Sequence, residues 1–214
     1  PLMVEMHALL AHDSSFSLEK SRLVSNLAAL WVANRLITHY FEYDPTHLHY
    51  PPSNFLTQPT FRYFNRFAAN FDRALYLNGQ GAHNAHVAIY HPLESGFANS
   101  AGMFQEGRRP TGRWSNAMDE TQEYYSALQL DLARHGWEYH ILDSHYLTKS
   151  VIVGDALQLG EEKFRVLILP PMTHVAASSA DKIRQFVAAG GVVLALGPQP
   201  GEVAGIPQVR RFPI

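Results

Sequence analysis

Short apolar runs alternate with amphipathic segments along the first part of the chain. Residues 2–7 predict a buried strand, Ser17 can cap a helix over residues 18–34, and residues 35–40 predict a second strand. In that helix, Leu23, Val24, Leu27, Leu30 and Trp31 are predicted to share one face. Pro59 suits the first turn of a further helix. Its apolar stripe consists of Phe61, Phe64, Ala68, Phe71 and Leu75. The predicted order is therefore strand, helix, strand, long loop and helix.

The rest of the chain repeats this alternation of strands and helices. Residues 118–135 predict an amphipathic helix that stops at Gly136, and Ser178 with Asp181 resembles a capping box for a helix that ends at Gly190. Four short, nearly continuous apolar runs predict strands at residues 85–90, 137–142, 164–169 and 192–196. Runs of this kind are typical of strands buried on both sides. We therefore expect one parallel sheet with helices on both faces.

A change of rhythm after Gly81 divides the chain into two predicted domains, residues 1–80 and 81–214. The first holds two strand–helix units, which are too few to close a sheet. The second has the strand and helix content of a flavodoxin-like domain. The loop over residues 91–117 is too long for a simple connection, which favours a contact role. Its candidate contact residues are Arg108, Arg109, Arg113 and Trp114.

The composition excludes several classes of function. A formal charge of −2 does not favour nucleic acid or an anionic membrane surface as a partner, and no apolar run approaches the length of a membrane-spanning helix. The absence of cysteine excludes disulfides, thiolate metal sites and a cysteine nucleophile. The chain opens and closes in apolar segments, so we expect it to continue upstream and downstream in a longer polypeptide. A missing signal peptide therefore assigns no compartment, and periplasmic and secreted locations both stay open.

The candidate catalytic residues lie at the carboxyl ends of the first two predicted strands, where parallel α/β folds bind their ligands. Glu5 and His7 end the first strand, and the second ends with Thr38, His39, Tyr40 and Glu42. A carboxylate at such a place can act as acid, base or nucleophile, and glycoside hydrolysis needs two of them. The alternative is that Glu5 is a salt-bridged glutamate at the rim of the sheet.

The loop over residues 40–56 is a candidate sugar-binding segment. It combines aromatic rings, among them Tyr40 and Tyr43, with His, Asn and Asp side chains that can bind hydroxyl groups. The alternative is a proline-rich cover that packs on its own rings. His47 and His49 are interpreted as ordinary polar residues, because a zinc site needs three or four ligands and no third is indicated by spacing.

Other catalytic patterns are missing from the sequence. Gly79 and Gly81 precede a strand, so they form a turn rather than a dinucleotide-binding loop. The chain has no Gly-x-Ser-x-Gly elbow and no phosphate-binding loop.

The order of these segments resembles the α-L-rhamnosidases of glycoside hydrolase family 106. The resemblance rests on Glu5 at a strand end, the segment over residues 33–39, Arg66 and Arg73 on the following helix, and four later motifs. Those motifs are Val87-Ala-Ile-Tyr-His-Pro92, Gly136-Trp-Glu-Tyr, Val166-Leu-Ile-Leu-Pro170-Pro and Gly190-Gly-Val-Val. Some β-galactosidases share the same order of two domains, so the motifs identify the arrangement better than the sugar.

The resemblance implies an α/β chain that contains the C-terminal end of a (β/α)₈ barrel followed by a flavodoxin-like, glutamine-amidotransferase-like domain. Glu5 would be one carboxylate of a glycosidase pair, with His7, His39, Tyr40, Glu42 and Tyr43 binding the sugar of an oligosaccharide or glycoside substrate. The second carboxylate and the ligands of a calcium ion would lie upstream, so this part alone is expected to be inactive. The alternatives are a β-galactosidase-type glycosidase and a non-catalytic carbohydrate-binding or assembly module.

Overall fold

The computed structural model describes residues 2–6, 17–31, 33–38, 59–81, 83–99 and 116–213. The chain divides into two compact units, Pro1–His83 and Asn84–Ile214.

The first unit is built from two strands and two main helices. In chain order these are β1 (Leu2–Met6), α1 (Leu18–Leu30), β2 (Ala33–Thr38), a short 3₁₀ helix (Phe61–Tyr63) and α2 (Phe64–Asn78). β1 and β2 pair in parallel, with Glu5 beside Ile37. This confirms the predicted order of elements, and the two strands do not by themselves show a closed barrel.

Helix α1 is shorter than predicted, because its last turn is stopped by side-chain and backbone contacts. Ser17 caps its start as expected, with its hydroxyl accepting from the Lys20 N–H (3.2 Å). At its other end, the Asn78 amide donates to the carbonyl oxygens of Ala29 (2.7 Å) and Ala33 (3.1 Å). These bonds tie the end of α2 to the end of α1 and the start of β2. The second strand therefore begins at Ala33, two residues before the prediction.

The face of α1 that is buried in this unit is the one with small residues. The buried residues are Ser21, Ser25 and Ala28, which allow a close approach of the helix backbone to its neighbours. The large apolar residues predicted to share one face are exposed: Leu23, Val24, Leu27, Leu30 and Trp31. Both sets recur at helical spacing, so the apolar stripe by itself could not tell which face packs inside this unit.

Helix α2 follows its predicted stripe in part. Phe71 of the stripe is buried and Phe64 is half-buried. Phe67, which the predicted stripe did not include, is buried as well, and its ring stacks on that of Phe71 with centroids 6.4 Å apart. Phe61, the first member of the predicted stripe, is exposed and precedes the helix. The helix packs against α1 and β2.

The second unit alternates strands and helices. In chain order it contains β3 (Val87–Tyr90), α3 (Leu93–Asn99), α4 (Asn116–Arg134), β4 (Tyr139–Leu142), α5 (Ser144–Lys149), β5 (Val151–Val153), β6 (Ala156–Leu159), β7 (Glu162–Phe164), β8 (Val166–Leu169), α6 (Ala177–Ala188), β9 (Val192–Leu196), α7 (Gly201–Ala204) and β10 (Arg210–Phe212).

Five of these strands form one sheet in the order β10-β9-β8-β3-β4, and every neighbouring pair is parallel. The predicted parallel sheet is thus confirmed, with β10 as an additional edge strand. When only the five strands of this sheet are numbered in chain order, starting from β3, their order across the sheet from β4 to β10 is 2-1-3-4-5. The direction of the connections therefore reverses between β3 and β8. Helices α5, α6 and α7 lie side by side, and α3 packs with α4.

Several boundaries differ from the prediction. The run at residues 164–169 is divided, because Phe164 ends β7 and β8 begins at Val166. The capping box at Ser178 is wrong: α6 is capped by Ala176 without a side-chain bond, and Asp181 pairs with Arg184 instead. The stop of α4 is confirmed, since Gly136 has φ +72° and the Trp137 N–H donates back to the Leu132 carbonyl (2.9 Å).

A small antiparallel sheet, β5-β6-β7, was not predicted. Its two tight turns each have a glycine with positive φ at the first central position, Gly154 at +61° and Gly160 at +62°, as two-residue hairpins of type II′ require. Beside it, the His140 ring on the edge strand β4 lies 2.6 Å from a Glu162 carboxylate oxygen of β7. This contact joins the small sheet to the main one.

The core of the second unit lies between the sheet and helices α5 to α7. Alternate residues of the central strands supply one side of it, and Leu147, Ile183 and Phe186 of the helices supply the other. Gly191 follows α6 beneath Phe186, so close that an added Cβ would stand 2.0 Å from the ring. The connection from α6 to β9 therefore requires glycine at this position. No helix in the described part of the chain is long and apolar enough to cross a membrane.

Candidate functional site

Of the residues predicted to act in catalysis or to bind the sugar, Glu5 is the one that lies within the described part of the chain. It lies on β1, one residue before the strand ends, and its side chain is exposed. Its neighbours on the strand, Val4 and Met6, are half-buried. Because side chains alternate across a strand, Glu5 lies on the opposite face of the sheet from these two residues.

The exposed face of this two-stranded sheet carries both charge and apolar surface. Met3 and Glu5 of β1 share it with Arg35 and Ile37 of β2, and all four side chains are exposed. Glu5 is the one carboxylate on the described residues of these strands. The face therefore offers a single acid–base group, half of what glycoside hydrolysis requires.

The other predicted sugar-binding residues lie outside the described residues. These are His7, His39, Tyr40, Glu42 and Tyr43. The same holds for His47 and His49, and for the contact residues expected in the loop at 91–117, namely Arg108, Arg109, Arg113 and Trp114. Their roles remain predictions.

An open groove of ≈ 510 Å³ follows β2 and the end of α2. Its lining is largely apolar, with Arg35 and Asp72 as its charged members. Asn34 also lines it, and the Asn34 side-chain oxygen is buried without a hydrogen-bond partner among the described residues. In folded proteins a buried acceptor of this kind normally has a hydrogen-bond donor.

A polar cluster occupies the carboxyl ends of β3 and β4 in the second unit. The Tyr90 hydroxyl donates to the Glu94 carboxylate (2.9 Å) and lies 2.9 Å from the Ser144 hydroxyl, which also donates to Glu94. Burial raises the pKa of Tyr90 to about 12, and the hydrogen bond with Ser144 opposes that rise. The phenol is thus held neutral and serves as a hydrogen-bond donor to a charged carboxylate.

His91 follows Tyr90 and stacks on Tyr125 of α4, with ring centroids 5.1 Å apart. Burial lowers the pKa of His91, while the charges of Asp143 and Glu94 act in the opposite direction. Burial also raises the pKa of Tyr125 to about 12. This ring pair is therefore neutral near neutral pH and packs α4 onto the end of β3.

This cluster was not predicted, although its residues leave a signal in the sequence. Tyr90 ends an apolar run, Glu94 follows it by one helical turn, and Asp143 and Ser144 directly follow the next strand. Parallel strand ends meet at one edge of a sheet, here as at Glu5, so these side chains could have been expected to lie close together.

Comparison with known proteins gives one informative likeness. No protein-family model matches the sequence, and no curated protein matches it. Among solved structures, the chain is similar to a rhamnosidase from Novosphingobium sp. PP1Y, with a TM-score of 0.60 and 14% sequence identity. The likeness covers 94% of this chain and 18% of the rhamnosidase chain. At this identity it shows the fold alone, a mixed α/β arrangement that also occurs within a glycoside hydrolase.

Proposed function

We propose that this chain is part of a glycoside hydrolase that cleaves a terminal sugar, with Glu5 as one of two catalytic carboxylates. The observation that carries the proposal is the position of Glu5, exposed and one residue before the carboxyl end of a parallel strand, where α/β enzymes place their catalytic groups. The likeness in fold to a rhamnosidase supports the same class and makes α-L-rhamnose the first sugar to test.

The finer architecture is part of this proposal. In it, β1, α1, β2 and α2 are the last strand–helix units of a (β/α)₈ barrel, which places Glu5 on the inner wall of the barrel. The parallel order 2-1-3-4-5 of the second unit supports a flavodoxin-like domain. An exposed face of β1 and β2 opposite their half-buried residues agrees with a surface that lines a substrate cavity.

The chemistry proposed for Glu5 is proton transfer at the glycosidic bond. As an acid it would protonate the leaving oxygen, and as a base it would activate water on the other side of the sugar ring. His7, His39, Tyr40, Glu42 and Tyr43 are proposed to bind sugar hydroxyls. A second carboxylate and a calcium ion belong to the same proposal, and no described residue of this chain is assigned to either.

The proposal is tested by Glu5→Gln in the protein encoded by the complete gene. This change keeps the shape of the side chain and removes its titrating proton, so kcat on an aryl α-L-rhamnoside should fall by at least ~10²-fold. The KM should change little, because the amide still fits the same space.

Glu19→Gln is the matched control, since Glu19 is an exposed carboxylate on the first turn of α1. Its kcat should equal that of the unmodified protein. Near-native turnover of Glu5→Gln would refute the role of Glu5. Turnover of an aryl β-galactoside in place of the rhamnoside would favour the β-galactosidase alternative, and an inactive unmodified protein that still binds sugar would favour a binding module.

A further inference from the structure

Ser95 of α3 joins this helix to the loop after β8, at the carboxyl edge of the main sheet. Its hydroxyl accepts hydrogen bonds from the Thr173 N–H (3.0 Å) and the His174 N–H (3.0 Å). It also donates to the carbonyl oxygen of His174 (3.0 Å). The side chain is 1% exposed, so one buried oxygen atom satisfies three backbone groups of the loop between β8 and α6.

A second contact joins α3 to the same loop. The Asn99 amide, at the end of α3, donates to the Thr173 hydroxyl (2.8 Å), which lies 2.9 Å from a ring nitrogen of His174. Helix α3, which follows β3, and the loop after β8 are therefore held together at two points.

This helix and this loop flank the position at which the strand connections reverse direction. β3 and β8 are neighbours in the sheet, with the connection to β4 on one side and the connection to β9 on the other. In open parallel sheets, ligands bind in the crevice between these two strand ends. Backbone N–H groups that converge there are the groups that commonly hold a ligand phosphate.

We propose that the Ser95 hydroxyl fills this crevice. By occupying it, the hydroxyl keeps the second unit from binding phosphate-bearing ligands such as nucleotides and flavins. The hydroxyl stands where a ligand oxygen would accept from the amides of Thr173 and His174. The proposal is independent of the glycosidase activity proposed for the first unit.

The role of Ser95 is tested in the 214-residue chain by following the amide signals of Thr173 and His174 by NMR. In the unmodified protein both amides should be protected from hydrogen exchange, and neither inorganic phosphate nor flavin mononucleotide should shift their resonances. In Ser95→Ala the two amides lose their acceptor. Their exchange should become about tenfold faster or more, as expected for a lost buried bond, and inorganic phosphate should now shift both resonances.

Ser95→Cys provides a second variant of similar size with a poor acceptor, in case the alanine variant does not fold. Ser178→Ala, an exposed serine on the helix after the same loop, is the control and should match the unmodified protein. Shifts caused by phosphate or flavin in the unmodified protein would overturn the proposal. Faster exchange without a phosphate response in either Ser95 variant would also overturn it, because it would show a structural bond and no occupied ligand position.

Discussion

The polar side chains at the end of β3 and directly after it make different contacts in the second unit. Tyr90 is fully buried and donates to Glu94, His91 stacks on Tyr125, and Ser95 bonds to the loop after β8. Three polar residues within six positions thus connect β3 to α5, to α4 and to the β8–α6 loop. Each has a partner that only the fold brings close, since Ser144 is 54 positions from Tyr90.

Acid should destabilise the protein partly through His91. Because the pKa of His91 in the folded protein lies below its ordinary value of 6.5, the unfolded chain binds the proton first as pH falls. The free energy of unfolding should therefore be unaffected by this residue above pH 6.5 and decrease below it. Urea unfolding at about pH 7.5 and about pH 5.5 measures the change.

His91→Phe is the matched variant, because it keeps a ring on Tyr125 and cannot titrate. Its stability should decrease less than that of the unmodified protein between the two pH values. An equal decrease in both proteins would show that His91 has no part in the acid response.

At the scale of single elements, the connection from α6 to β9 depends on the lack of a side chain at Gly191. An added Cβ would meet the fully buried ring of Phe186 at 2.0 Å. Gly191→Ala should therefore destabilise the protein by about 1–3 kcal/mol or more, the range for overpacked cores. Chemical denaturation gives this value directly.

Gly201→Ala is the control for that change. Gly201 opens α7 and has open space around it, with nothing within 4 Å of an added Cβ. The substitution should leave stability unchanged or raise it by up to about 1 kcal/mol, because alanine restricts the unfolded chain. Equal effects of the two alanines would contradict the contact between Gly191 and Phe186.

Helix α1 allows a second test at this scale, because its small residues are buried and its large ones are exposed. Ala28→Leu should overpack the contact and destabilise the chain by about 1–3 kcal/mol. Leu27→Gln, one position earlier on the exposed face, should change stability by no more than about 0.5 kcal/mol. The reverse order of these effects, measured by urea unfolding, would mean that α1 packs with its large residues inward.

At the scale of the whole molecule, the two units differ in how completely they bury apolar surface. The second has a continuous core between its sheet and three helices. The first has two paired strands whose outer edges are unpaired among the described residues, and several large apolar side chains of α1 are exposed. Unpaired edges and exposed apolar patches favour association with other chains.

Residues 1–78 expressed alone are therefore expected to aggregate or stay unfolded, whereas residues 84–214 should give a cooperative thermal transition. Size-exclusion chromatography and calorimetry of the two pieces measure this. A soluble, cooperatively melting product from residues 1–78 would show that this unit has a sufficient core of its own.

The sequence alone determined the elements that depend on local patterns. The strand at Val192–Leu196, the stop of α4 at Gly136 and the cap at Ser17 were all predicted, because apolar runs, glycine with positive φ and a capping hydroxyl act within a few residues. The parallel sheet followed from the alternation of such elements.

The tertiary structure decided what depends on partners distant in the chain. It determined which face of α1 packs, since the small residues Ser21, Ser25 and Ala28 are buried and the large ones are exposed. It also brought Ser95 to the amides of Thr173 and His174, 78 and 79 positions away. Packing selects among faces that the local pattern leaves equal, and hydrogen bonds between distant loops exist only once the sheet has set the distance between them.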